Sequence, residues 1–162
     1  MGLGLYEDQL RILARVGLAM LMGAVIGFER ELEDKPAGLR THMLVGGAAA
    51  LFVALVDVVI GSLSVRLGSG LVQSDPVRII EAVVTGVSFL GAGTIVLRKR
   101  ESQVEGLTTA ASILFTAAVG VCVALSQVVL AAGATALALI TLRGMGLLES
   151  WLARRCSSAR GD

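Results

Sequence analysis

The residues able to do chemistry in this chain fall into two groups. The first is the stretch GFERELEDKPAGLRTH, residues 27–42, which brings Glu29, Arg30, Glu31 and Lys35 close to Arg40, Thr41 and the single histidine, His42. Side chains of both signs beside a Gly-Leu-Arg-Thr-His element could dock a partner protein or an anionic group. Gly38 permits close backbone approach, Thr41 can cap or back-bond a helix, and Arg40 can reach a headgroup or a carboxylate. His42 fits an interfacial hydrogen-bonding role better than a metal-ligand role, because no second His or Cys lies at ligand spacing. The second group is Arg15, Asp57 and Glu81, three charges set inside apolar runs. Asp57 and Glu81 are the candidate metal ligands. A hard divalent cation prefers several oxygen ligands, so two carboxylates could make one site but hardly a pathway.

An oily chain must hold these groups. Of 162 residues, 55% are hydrophobic, only 4% are aromatic and 20 are glycine, and the mean hydropathy is +0.81. Soluble domains are nearer ~45–50% apolar and disperse their charges, whereas here the charges cluster. Residues 106–142 hold no Asp, Glu, Lys or Arg; as one helix at ~1.5 Å per residue they would reach ~55 Å, nearly twice a ~30 Å hydrocarbon core. Two spans are expected there, with a reversal near Ser126-Gln127. A net charge of +1 and the lack of a basic face interleaved with aromatics speak against nucleic acid as a partner. Cys122 and Cys156 follow no pattern and read as free thiols. The start, MGLGLYEDQLRIL, is acidic before it is basic and has no cleavage site, so it reads as a retained first helix.

Apolar segments at about 10–28, 43–63, 79–97, 107–125 and 128–148 predict an all-α polytopic membrane protein with five transmembrane helices in residues 1–150 and a short polar tail at 151–162. Asp75-Pro76 reads as an N-cap followed by proline in the first turn, the start of the third helix. Of the 14 Lys and Arg, ten fall in the first loop, the third loop and the tail, so the N-terminus is expected outside and the tail in the cytoplasm. A weak internal match at an offset of 68 residues pairs Gly23-Ala24 with Gly91-Ala92, Arg30 with Arg98, Glu33 with Glu101, Gly38-Leu39 with Gly106-Leu107, and Thr41 with Thr109. It would make helices one-two and three-four a parallel repeat.

Small residues carry helix packing where lipid supplies no hydrophobic force. Gly23 and Gly27, the face holding Gly86, Gly91 and Gly93, and Gly106 are the candidates, and self-association through such faces is expected. Counting ~1.5 Å per residue from the cytoplasmic boundary puts Arg15, Asp57 and Glu81 at one level. Charges inside spans face the bundle interior and find one another, so Arg15 is expected to pair with Asp57 or Glu81.

FERELEDKPAGLRTHMLV, DPVRIIEAVVTGVSFLGAG and GLTTAASILFTAAVG, in that order, resemble the three signature blocks of the MgtC/SapB family of bacterial inner-membrane proteins. The resemblance implies a helical inner-membrane domain linked to growth at low magnesium, survival inside host cells, and control of other membrane proteins such as the F-type ATP synthase. Ser88 stands where the family usually has glycine and Leu114 where it commonly has tryptophan. Many members carry a cytoplasmic domain after the last helix; WLARRCSSARGD reads as a tail without one.

Three functions compete at this level. A regulatory protein that binds other membrane proteins is favoured by the charged first loop, the basic third loop and the small-residue faces. A magnesium or other cation transporter or channel is suggested by the intramembrane carboxylates. An intramembrane enzyme is poorly supported, since the chain has no HExxH, no Gly-x-Ser-x-Gly and no Ser or Cys with an evident base. No cofactor is expected.

Overall fold

The computed structural model describes residues 2–67, 75–98 and 103–158. Its order is α1 (Gly2–Leu32), α2 (Leu39–Leu67), α3 (Pro76–Ala92), a hairpin of β1 (Val96–Arg98) and β2 (Gln103–Glu105), α4 (Leu107–Ala124) and α5 (Val128–Ser158). Tyr6–Leu32, Leu39–Ser62 and Leu107–Ala124 are long and apolar enough to cross a membrane, and Val128–Gly144 is a shorter apolar stretch. Leu10, Leu21, Phe89 and Val129 stand exposed on the outer faces, an arrangement suited to a hydrocarbon solvent. The chain is a polytopic helical membrane protein.

Local signals set the helix ends. α1 stops where Asp34 takes a left-handed backbone (φ 51). The Asp34 N–H then bonds to the Glu31 carbonyl at 3.1 Å and the Lys35 N–H to the Arg30 carbonyl at 3.0 Å, a Schellman close of the helix. The same device ends α4. Ser126 has φ 61, its N–H reaches the Val123 carbonyl and the Gln127 N–H reaches the Cys122 carbonyl, so the chain reverses at the expected Ser126-Gln127. Asp75 caps α3 by accepting from the Val77 N–H at 3.1 Å, with Pro76 following.

The third element departs from expectation. Its helix ends at Ala92, and Val96–Arg98, read as helical as far as residue 97, is a strand paired antiparallel with Gln103–Glu105. Glycines at 91 and 93 weaken the last turn, and the Thr94 N–H and hydroxyl both donate to the Gly91 carbonyl, at 2.9 and 2.7 Å, closing the helix end. Ile95 and Val96 then favour extended backbone. The fold is therefore all-α apart from one hairpin. Lys99, Arg100, Glu101 and Arg160, used above for orientation and for the internal match, lie outside the described residues.

α1, α2 and α4 form the centre, with α3 and α5 leaning on α4. The core is built of small and β-branched side chains, among them Ala19, Ala50, Ile113, Ala117, Val123 and Ala131, which let helix backbones approach without a hydrophobic drive. A Cβ on Gly120 would meet the Gly46 carbonyl, and one on Gly46 would lie 2.9 Å from the Ala19 carbonyl. α1, α2 and α4 thus touch nearly backbone to backbone.

Candidate functional site

α2 and α4 run side by side in the same direction: His42 meets Ser112 near their starts, and Gly46 meets Gly120 further along. α1 runs against both. Its last turn therefore meets the first turns of α2 and α4 at one end of the molecule, and the charged stretch lies there.

At this junction the charges divide. Glu29 and Arg30 are only 3% and 4% exposed and His42 is fully buried. The carboxylate Oε2 of Glu29 and the Nε of Arg30 have no hydrogen-bond partner among the described residues. These three side chains are turned inward. Glu31 is exposed, but its Oε2 accepts from the Leu39 N–H at 2.8 Å and so caps α2; a Cβ on Gly38 would meet the same oxygen at 2.8 Å. Thr41 is half-buried. Lys35 and Arg40 are exposed. Loop 33–38 therefore carries exposed charge on a buried, hydrogen-bonded base.

His42 organises that base. Its Nδ1 is 2.9 Å from the Gly38 carbonyl and its Nε2 is 3.0 Å from Ser112 Oγ. A carbonyl can only accept, so Nδ1 carries a proton, and in a neutral ring Nε2 accepts the Ser112 proton. Ser112 Oγ is also 2.9 Å from the Thr109 carbonyl. One hydroxyl proton faces two acceptors; a second proton on the ring would send it to Thr109. The Arg30 guanidinium is within electrostatic range of the imidazole. Thr116, buried one turn further along, donates to the Ser112 carbonyl at 2.8 Å. Ser112 and Thr116 were not singled out from the sequence, yet the spacing of Thr109, Ser112 and Thr116 (i, i+3, i+7) marks a buried polar stripe on a mostly apolar helix.

Arg15 and the two carboxylates do not meet. Arg15 donates from Nη1 to the Ala124 carbonyl at 3.1 Å, at the C-terminus of α4, where unsatisfied carbonyls and the helix dipole attract a cation. Asp57 and Glu81 are exposed on α2 and α3. The expected pairing is replaced by a side chain-to-backbone clasp between α1 and α4. Among the described residues no group of three or more His, Cys, Asp and Glu could hold a metal ion.

The glycines act within the chain. A Cβ on Gly27 would come within 2.8 Å of the Gly38 carbonyl and of Leu39 Cα, and one on Gly23 would meet the His42 carbonyl. The Gly23-x-x-x-Gly27 pair is thus used by α1 against α2. Gly91 is buried, and a Cβ on it would lie 3.4 Å from Ala110 of α4. Gly93 caps α3, Gly106 takes φ 94 against the Thr94 carbonyl, and a Cβ on Gly86 would meet nothing within 4 Å. His42 and Ala110, touched by Gly23 and Gly91, are themselves 68 residues apart, as are Leu39 and Leu107, the first residues of α2 and α4.

Tightly packed membrane-type helices closed at one end by a buried polar junction define a polytopic membrane protein built on the three sequence blocks. The family model for MgtC proteins matches residues 16–151, and the chain belongs to the MgtC family. It is 40% identical to protein SrpB of Synechococcus elongatus over 153 residues, 90% of this chain and 81% of that protein. It is 44% identical to the magnesium transporter candidate YhiD of Escherichia coli K12 over 106 residues, 65% of this chain and 47% of that protein. Over 103 residues it is 43% identical to protein MgtC of Brucella abortus, 64% of this chain and 38% of that protein. The chain therefore aligns with less than half the length of the YhiD and MgtC proteins. No solved structure matches it.

Proposed function

We propose that the chain is a regulatory protein of the bacterial inner membrane that binds other membrane proteins during adaptation to low magnesium or host stress. The carrying observation is the divided junction: Glu29, Arg30 and His42 are buried while Lys35 of the loop and Arg40 of the first turn of α2 are exposed above them. An edge of fixed, exposed charge can select a partner through complementary charge. The excess of Lys and Arg on this side argues that it is cytoplasmic, with five spans and the N-terminus outside. The paired contacts of Gly23 with His42 and Gly91 with Ala110 support reading α1-α2 and α3-α4 as a parallel repeat. Partners of the kind the family resemblance implies, such as the F-type ATP synthase, would meet the charged edge, and exposed Asp57 and Glu81 favour assembly with further helices, including copies of this chain.

The similarity to YhiD, a magnesium transporter candidate, and the carboxylates at 57 and 81 favour a second reading, a magnesium or other cation transporter. Purified protein alone in vesicles separates the two. The regulatory reading expects magnesium entry equal to that of empty vesicles, and saturable uptake above them would overturn it.

A further inference from the structure

A groove of about 880 Å³ runs between α2 and α3, walled by Leu44, Phe52 and Val59 on one side and Ile79 and Leu90 on the other, with Arg78 at its end. It exists because α3 leans on α4 and stands off α2, and because Gly86 puts no side chain into it. We propose that the groove binds an anionic phospholipid, its acyl chains along the apolar walls and its phosphate on Arg78.

From Leu44 to Val59 the groove follows α2 for ~22 Å at ~1.5 Å per residue. The acyl chains of one leaflet need a depth of ~15 Å, half of a ~30 Å core, and the groove is long enough to take them.

Charge selects the headgroup. The Arg78 side chain is 83% exposed, and its Nε stands 3.7 Å from Asp75 Oδ2, beyond hydrogen-bond distance. Asp75 uses its other oxygen on the Val77 N–H. The terminal nitrogens of Arg78 are therefore presented outward, and a guanidinium binds phosphate in a two-pronged fashion. Arg78 also lies in the first turn of α3, where the helix dipole favours an anion. Apolar walls and a cationic mouth at a helix end match the two parts of one anionic lipid.

Native mass spectrometry of the purified full chain, titrated with phosphatidylglycerol or phosphatidylcholine, tests this. The expected result is one tightly held phosphatidylglycerol, preferred about five-fold, roughly the effect of one basic residue near a charged lipid surface. Arg78→Gln, on an exposed side chain, should erase the preference, and Ala82→Phe should weaken both lipids by filling the groove. Equal binding of the two lipids by the unaltered protein, or a preference that survives Arg78→Gln, overturns the proposal. So does an Ala82→Phe protein that keeps its lipid but changes oligomeric state, since a second copy would then occupy the groove.

Discussion

Ser112 shares its one hydroxyl proton between the His42 ring and the Thr109 carbonyl, and it is the polar atom that ties α2 to α4. Removing it leaves a buried imidazole nitrogen unsatisfied, at a cost of ~1–3 kcal/mol. Ser112→Ala should therefore lower the thermal unfolding midpoint in detergent by on the order of 5 °C, and an unchanged midpoint would remove the His42–Ser112 hydrogen bond from the stabilising contacts. Arg15 carries a second expectation. Because it bonds to the Ala124 carbonyl and not to a carboxylate, Arg15→Gln and Asp57→Asn should act independently, their combined destabilisation adding within ~0.5 kcal/mol. A double variant no worse than either single one would restore the ion pair. Neither depth nor direction was legible from residue counting: Gly23 lies against His42 and Ala19 against Gly46, which sets Arg15 level with about residue 50, ~10 Å short of Asp57 at ~1.5 Å per residue, and Arg15 points at α4 while Asp57 and Glu81 are exposed.

Among the helices, some glycines space backbones and others, such as Gly86, leave room. Gly27→Ala places a methyl group against the Gly38 carbonyl and Leu39 Cα, an overpacking worth ~1–3 kcal/mol that outweighs the ~1 kcal/mol alanine gains in a helix. Gly86→Ala meets nothing within 4 Å and should keep that gain. In one detergent the first variant should melt lower than the unaltered protein and the second slightly higher; the reverse order would contradict this placement of α1 against α2. Other features of these elements could be read in advance. Asp75-Pro76 announced the start of α3, and Ser126 the reversal after α4, because caps and turns are written in a few adjacent residues. The end of α3 was not readable, since hydropathy continues unbroken through Ile95, Val96 and Leu97 while the backbone changes from helix to strand. Burial of Glu29 and Arg30 was hidden for a related reason. Charges at a helix end are ordinarily solvated, and only the packing of α1 against α2 and α4 turns these two inward.

The whole molecule joins a backbone-close bundle of α1, α2 and α4 to a charged edge at one end. Three ordered sequence blocks made the helical membrane class and the family legible, because they contribute the helix starts and glycine contacts that build the bundle. Of the seven residues at 29–42 chosen from sequence, folding leaves Glu31, Lys35 and Arg40 exposed. Arg40 lies on the second residue of α2, held in place by the Glu31 cap and by His42 beneath it. Changing it should cost little stability, since an exposed charge contributes ~0–1 kcal/mol, but should remove the positive charge a partner would read. The most direct measurement is therefore growth at low magnesium of a strain lacking the natural protein and supplied with the Arg40→Ala variant at matched membrane levels. Docking through the charged edge predicts that the variant inserts and accumulates normally yet fails to restore growth; full restoration would contradict it.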